Sequence, residues 1–296
     1  MSSPPKGIHQ PLFSRQPSHR SLTPLAQKLA TQGPVRTLPI APRLIRLLFN
    51  HTYILQTTRA VYVWEHPYYP QIYIPASEFA QHAHKALQLE KGSEIKTDDG
   101  TRVAQYWKLT VGDRSIDKAI AFDDALDGKG KDLAGLVKVD FDSVDQWFEE
   151  DTPIFVHPKD PFKRIEILSS TRHIVVRVGG QKVAETGFAM HLYETGLPTR
   201  FYLPLTSIDA SVLRPSKTTT KCPYKGTAKY YSVDLGDGKV HEDVVWYYDA
   251  PLLESATIVG LCCFYNEKVE IELDGEKLES PVTHFSNKKP GEKPSI

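Results

Sequence analysis

Alternating apolar and polar positions dominate the chain from about residue 40 onward, and they predict strands. Residues 173–178 (HIVVRV) form a β-branched run that stops at Gly179-Gly180 and restarts at residues 182–185, a hairpin signature. Gly236-Asp237-Gly238 separates the stretches 230–235 and 244–248 in the same way. Val269, Ile271 and Leu273 alternate with Glu270 and Glu272 ahead of Asp274-Gly275, which reads as a half-buried strand and a turn. One helical pattern interrupts the first half. It covers residues 78–89, with Phe79, Ala83, Ala86 and Leu87 on one face, Ser77 as N-cap and Gly92 as the stop. Many short strands at this spacing predict a mainly β protein made of small sandwich, barrel or tent-like domains.

The pattern also repeats. AQYWKLTVGD (residues 104–113) lies over AKYYSVDLGD (residues 228–237) without gaps. Upstream, EHPYYPQIYIP (65–75) lies over ETGLPTRFYLP (194–204), with Glu65 on Glu194 and Tyr73 on Tyr202. A shared order of blocks at a nearly constant offset is the mark of a duplication. The expected organisation is a basic leader (1–36), an N-terminal β domain (37–160), a C-terminal β domain (161–280) and a flexible tail (281–296). The leader is rich in Ser, Pro and Gln and shows no hydrophobic period, and Pro4, Pro5, Pro11, Pro17 and Pro24 break any helix. It therefore predicts a disordered or loosely packed segment. A mitochondrial transit peptide is the alternative, because the segment is Arg- and Ser-rich and free of acids.

Charge and cysteine content narrow the functional classes. Lys and Arg (36) balance Asp and Glu (36), which argues against a nucleic-acid partner. The eight basic residues that precede Glu65 leave 28 basic against 36 acidic residues in the remainder. Cys222, Cys262 and Cys263 show no CxxC spacing, so neither a disulfide framework nor a zinc site is expected. No apolar run is long enough for a membrane span, so no membrane partner is expected either. A cytoplasmic location follows, with mitochondria as the alternative. No cofactor or metal is expected. His82 and His84 are two residues apart, GxSxG is absent, and Gly128-Lys-Gly130-Lys lacks Walker spacing. His157, His173, His191 and His241 have no ligand spacing and read as surface or hydrogen-bonded histidines.

The most distinctive chemistry is Cys222-Pro223-Tyr224-Lys225-Gly226. A thiol and an ammonium three residues apart can depress each other's pKa, which makes Cys222, Lys225 and Tyr224 the candidate catalytic set. In the bland reading, Pro223 and Gly226 shape a turn and Cys222 is a small buried hydrophobe. Arg214-Pro215-Ser216-Lys217 with the threonines at 218–220 reads as a polar basic loop leading into this corner. Aromatic residues cluster nearby: Tyr230, Tyr231, Trp246, Tyr247 and Tyr248. If the strands carrying Tyr230 and Trp246 pair, their rings wall a pocket above Lys225, with Glu194, Arg200 and Tyr202 as polar contributors. Such a pocket suits a small, partly anionic or aromatic ligand.

KCPYKGTAKYYSV (221–233), VVWYYDAP (244–251), IVGLCCFYNEKVEIELDGE (258–276) and KVAETGFAMHLYETGLPTRFYLP (182–204) resemble the domain-of-unknown-function family 427. The resemblance spans about residues 40–280 as two consecutive domains and is closer in the second. The first carries residues 97–102 where the second has 221–226, with no Cys, Pro, Tyr or Lys counterpart. The resemblance implies a small β-rich domain, and the family also carries a nucleotidyltransferase name. That chemistry needs metal-binding carboxylates, and Asp140-x-Asp142 reads instead as a turn at a strand end. The asymmetry between the copies predicts a small-molecule site in the C-terminal copy, used for binding or metabolic chemistry. The alternative is a non-catalytic protein-interaction module with exposed aromatics.

Overall fold

The Gly179-Gly180 hairpin forms as its sequence dictates: both glycines take positive φ, 56° and 83°, and Val178 faces Gln181 across the turn. The structure, a computed structural model, describes residues 21–283 and Ser286. It divides into two units, Met1–Ile154 and Phe155–Ile296.

Eleven strands build the first unit: β1 (Arg36–Pro39), β2 (Ile45–Phe49), β3 (Thr52–Thr57), β4 (Val61–Trp64), β5 (Gln71–Pro75), β6 (Gln88–Lys96), β7 (Arg102–Val111), β8 (Arg114–Phe122), β9 (Leu136–Val139), β10 (Gln146–Glu149) and β11 (Thr152–Ile154). The second unit has β12 (Ile165–Ser170), β13 (Ile174–Val178), β14 (Gln181–Thr186), β15 (Ala189–Glu194), β16 (Arg200–Leu203), β17 (Leu213–Cys222), β18 (Gly226–Asp234), β19 (Val240–Tyr247), β20 (Cys262–Phe264), β21 (Glu270–Leu273) and β22 (Glu276–Lys277). Each unit pairs a seven-stranded sheet with a four-stranded one. The orders are β1-β4-β5-β9-β8-β7-β6 and β3-β2-β10-β11 in the first, and β12-β15-β16-β20-β19-β18-β17 and β14-β13-β21-β22 in the second. The two topologies are identical strand for strand, as a duplication requires, and no sheet closes into a barrel.

The main core of each unit lies between its two sheets. Ile45, Leu47 and Trp147 meet Ile72, Leu109 and Val137 in the first, and Ile174, Val176 and Ile271 meet Phe201, Val245 and Phe264 in the second. Because side chains alternate along a strand, the neighbours of these residues point to the other face of the seven-stranded sheet. A second apolar cluster covers that outer face in each unit.

Several expectations need correction. The second half of the leader is a helix, α1 (Thr23–Gln32), and not a loose segment; the residues before Ser21 lie outside the described ones. Pro24 sits in its first turn, where a proline's missing N–H costs nothing, so it opens the helix instead of breaking it. Leu22, Ala26, Leu29 and Ala30 are buried at helical spacing on the outer face, a period hidden by its small residues. Gly130 permits the close approach: a Cβ there would lie 2.6 Å from the Ala30 carbonyl oxygen. Gly130→Ala is accordingly expected to destabilise the first unit by about 1–3 kcal/mol, read as a lower unfolding midpoint.

The helical insert is shorter than its pattern, α2 (Ala76–His82), so His84 and Gly92 fall outside it, the latter within β6. Ser77 does not cap it; Pro75 holds the N-cap position without a side-chain bond. The polar stretch 214–220 is not a loop but part of β17, the sheet's edge strand, with Pro215 beside a register shift. The boundary between units falls after Ile154, so residues 155–160 belong with the second unit.

Candidate functional site

Tyr230 and Trp246 are direct partners across β18 and β19, the pairing on which the sequence argument was conditional. Alternation then sends Tyr230, Trp246 and Tyr248 to the outer face with Leu192, Tyr202 and Cys263, while Tyr231 and Tyr247 stack at 5.0 Å on the opposite side, against the intersheet core. The sheet thus divides the aromatic run between two buried clusters, one between the sheets and one on the outer face, where the rings pack on one another.

The outer face holds two buried ion pairs among the rings. Arg200, on β16, grips Glu267 with both terminal nitrogens at 2.7 Å, and the Glu267 side chain is fully buried. The guanidinium lies 5.5 Å from the Trp246 ring centroid. Trp246 Nε1 donates to the Tyr202 hydroxyl at 3.0 Å, its ring packs on Tyr265 at 4.4 Å, and the Tyr230 hydroxyl meets Thr220 Oγ1 at 2.7 Å. Burial raises the pKa of Tyr202, Tyr230, Tyr248 and Tyr265, so all four phenols stay protonated at neutral pH.

The second pair comes from the Cys-Pro-Tyr-Lys-Gly corner, which is the three-residue loop of the β17–β18 hairpin, closed by Cys222 opposite Gly226. Gly226 has φ 99°, a conformation few side chains tolerate. The corner folds down onto the 3-10 segment Leu253–Ile258: the Leu252 N–H donates to the Lys225 carbonyl at 3.1 Å, and Ser255 Oγ donates to that of Tyr224 at 3.4 Å. Lys225 is thereby carried inward, 8% exposed, and its ammonium donates to Glu194 Oε2 at 2.6 Å. Lys163 approaches the other oxygen at 3.8 Å.

The expectation that thiol and ammonium depress each other's pKa fails for the lysine. Burial alone would lower it, but the adjacent Cys222 sulfur and the Glu194 carboxylate outweigh burial and raise it. Lys225 is therefore a fixed cation and not an amine nucleophile. Tyr224 is also buried, its phenol held protonated by that burial, with its oxygen accepting the Asp160 N–H at 2.7 Å. Cys222 is half-buried, whereas Cys262 and Cys263 are sealed in, Cys262 with a pKa pushed up to about 12 by burial.

The first unit shows what the duplication changed. Its β6–β7 hairpin ends in the exposed loop 97–101, with no cation to carry inward. Lys138 stands opposite Tyr73, the position at which Cys263 faces Tyr202. Its ammonium reaches Glu65, the counterpart of Glu194, and the Tyr73 hydroxyl donates to the same carboxylate at 2.9 Å. Both repeats bury the acid, but its cation sits on a central strand in the first and at a hairpin tip in the second. A shallow, polar groove of about 370 Å³ opens beside α1, lined by Gln27, Lys28, Thr31 and residues 97–99, far in chain and chemistry from the Lys225 corner.

A family model for a domain of unknown function, DUF427, matches residues 37–150 and again residues 166–275. The chain belongs to the DUF427 family. No curated protein matches it. The two DUF427 matches coincide with the two topological repeats, each opening at or beside the first strand of its seven-stranded sheet. Within the second DUF427 repeat all eight candidates fall at the outer face or the corner beside it: Cys222, Tyr224 and Lys225 at the hairpin tip, Glu194, Arg200, Tyr202, Tyr230 and Trp246 on the sheet.

Sequence reasoning passed over Glu267 and Asn266, whose partners Arg200 and Thr199 lie 67 residues away. It also read His191 as a surface or hydrogen-bonded residue, whereas it is buried on the intersheet side with Nε2 unpartnered among the described residues. Asp140 is the N-cap of a 3-10 turn after β9, Phe141–Ser143, which contains Asp142. No helix among the described residues is long and apolar enough to cross a membrane.

Proposed function

We propose that the second repeat binds a small molecule on the outer face of its seven-stranded sheet, and that the first repeat is a structural partner in which this role has been lost. One observation carries the reading: six strands and a hairpin tip converge two ion pairs, two thiols and five aromatic rings on or beside a single face, where apolar packing alone would be as stable or more so. Buried charge beside perturbed titrating groups is a functional signature more than a stabilising one. Both cations already have carboxylate partners, Glu194 and Glu267. This supports the aromatic half of the expected ligand over the anionic half: a planar, largely uncharged molecule that stacks on Trp246 and bonds the tyrosine hydroxyls. For chemistry on that ligand, Cys222 is the nucleophile, Lys225 its fixed positive neighbour and Tyr224 the proton donor.

Native mass spectrometry of the purified chain, paired with thermal shift against a library of aromatic metabolites, tests the proposal. A bound mass, or a shift of several degrees, is expected in the parent and should be lost in Cys222→Ser or Tyr230→Phe at unchanged stability of the free protein. Identical ligand responses in parent and variants would overturn it.

The interaction-module reading has one observation in its favour: Leu168 (49%), Phe188 (44%) and Tyr193 (42%) are exposed on or beside β12 and β15. Partner capture lost in Leu168→Asp but kept in Tyr230→Phe would favour that reading.

A further inference from the structure

The segments that precede β1 and β12 hold equivalent places in the two repeats, yet they are built differently. Ahead of β1, α1 packs a continuous apolar stripe against the outer face and the 3-10 segment Gly128–Leu133. Ahead of β12, residues 155–164 run over the hairpin corner without a helix, and polar and ring contacts hold them. The Asp160 N–H donates to the Tyr224 hydroxyl at 2.7 Å. Lys159 donates to the Glu254 carboxylate at 2.6 Å, and the Lys221 ammonium lies 3.9 Å from the Phe155 ring centroid. The His157 ring meets Tyr224 edge-on at 6.3 Å, and Lys163 approaches Glu194.

The two ends of this segment behave differently. Its far end is tied to β15, with the Arg164 N–H donating to Thr195 Oγ1 at 3.0 Å and the Thr195 N–H to the Arg164 carbonyl at 3.1 Å. Its near end carries Val156 at φ 70°. A β-branched residue in the left-handed region is strained, and such strain persists only where surrounding contacts hold it.

We propose that residues 155–164 are a lid over the Cys222–Gly226 corner at the edge of the outer face, hinged at Val156 and latched by the Asp160–Tyr224 hydrogen bond. The proposal rests on the small-molecule reading for what lies beneath. It answers a requirement of that reading: Tyr224 and Lys225 are buried, and the segment lies against Tyr224 and against Glu194, the acid that holds Lys225, so a ligand reaches this corner only if the segment moves. The strain at Val156 favours opening, because the residue can leave the left-handed region once the latch is released. In the first repeat the corresponding segment is a helix packed by a continuous apolar stripe.

The test uses the full-length chain and two readouts: hydrogen exchange at the Asp160, Phe162 and Lys163 amides, and alkylation of Cys222 by iodoacetamide, located by mass spectrometry. Tyr224→Phe, which removes the latch, should speed both about fivefold. Lys159→Ala, remote from the thiol, should speed both about twofold. Val156→Gly, which accepts φ 70° without strain, should slow both about fivefold. Unchanged exchange in all three variants would overturn the lid, and so would altered exchange with unchanged alkylation, since the segment would then move without covering the thiol. The expected rates with no small molecule found on the face would leave the lid standing and sink the binding reading instead.

Discussion

Lys225→Met is expected to destabilise the second unit by about 3–5 kcal/mol, because it strands the Glu194 carboxylate inside an aromatic face. Lys163, at 3.8 Å from the other oxygen, is too far to replace the lost hydrogen bond. The double variant Glu194→Gln with Lys225→Met should recover most of the loss, since the buried carboxylate is neutralised and only the partly exposed Lys163 loses an ion-pair partner. Hydrogen exchange of the β16 and β20 amides measures this opening free energy for the second unit by itself. A single variant within about 0.5 kcal/mol of the parent would show that the pair is solvated.

The pH dependence has a definite sign. The folded pKa of Lys225 is raised, so its contribution is complete below the unfolded value, near pH 10.4, and is lost as pH rises through the folded value. Lys225→Met should therefore flatten the alkaline limb of the second unit's stability profile.

Leu29→Ala is expected to cost the first unit about 2–5 kcal/mol, with no change in the second. Leu29 is fully buried within the outer cluster formed by α1, Ile95, Val103 and Leu133. Deleting residues 1–33 should have at least the same effect. The measurement is again amide exchange, on β7 and β8 for the first unit and on β18 and β19 as the internal control. If the deletion leaves β7 and β8 unaffected, the helix contributes nothing to the fold and the leader is dispensable.

Both predictions concern positions where local pattern and tertiary context part company. The strands were legible because a period of two survives in single segments: Ile271 and Leu273 are buried, and Glu270 and Glu272, which alternate with them, are not. The hairpins were legible because Gly179-Gly180 and Gly236-Asp237-Gly238 supply the positive φ that tight turns need. The helix α1 was not, because its buried stripe is half alanine and its proline lies at the one place in a helix where proline is harmless. The edge strand β17 was not, because an edge carries threonines, lysines and a proline that read as a loop.

The candidate site shows the same division. Its aromatic residues and hairpin corner announce themselves in short windows of sequence, and the duplication sets Glu194 and Tyr202 over Glu65 and Tyr73. Which rings face the site and which the core depended on strand register, and a one-residue slip exchanges Tyr230 and Trp246 for Tyr231 and Tyr247. The acid that holds Arg200, and the segment that bonds Tyr224, come from distant parts of the chain with no local periodicity to mark them.

By itself, the amino-acid sequence determined that this protein is a duplicated, mainly β chain whose second copy carries a corner the first lacks, because turn chemistry, alternation and repeat spacing are local properties. Only the tertiary structure decided that the corner's lysine is a buried cation held by Glu194, and that residues 155–164 pack against the tyrosine beside it. Burial, pairing and pKa arise from groups that meet across the fold, and a linear pattern does not encode their distances.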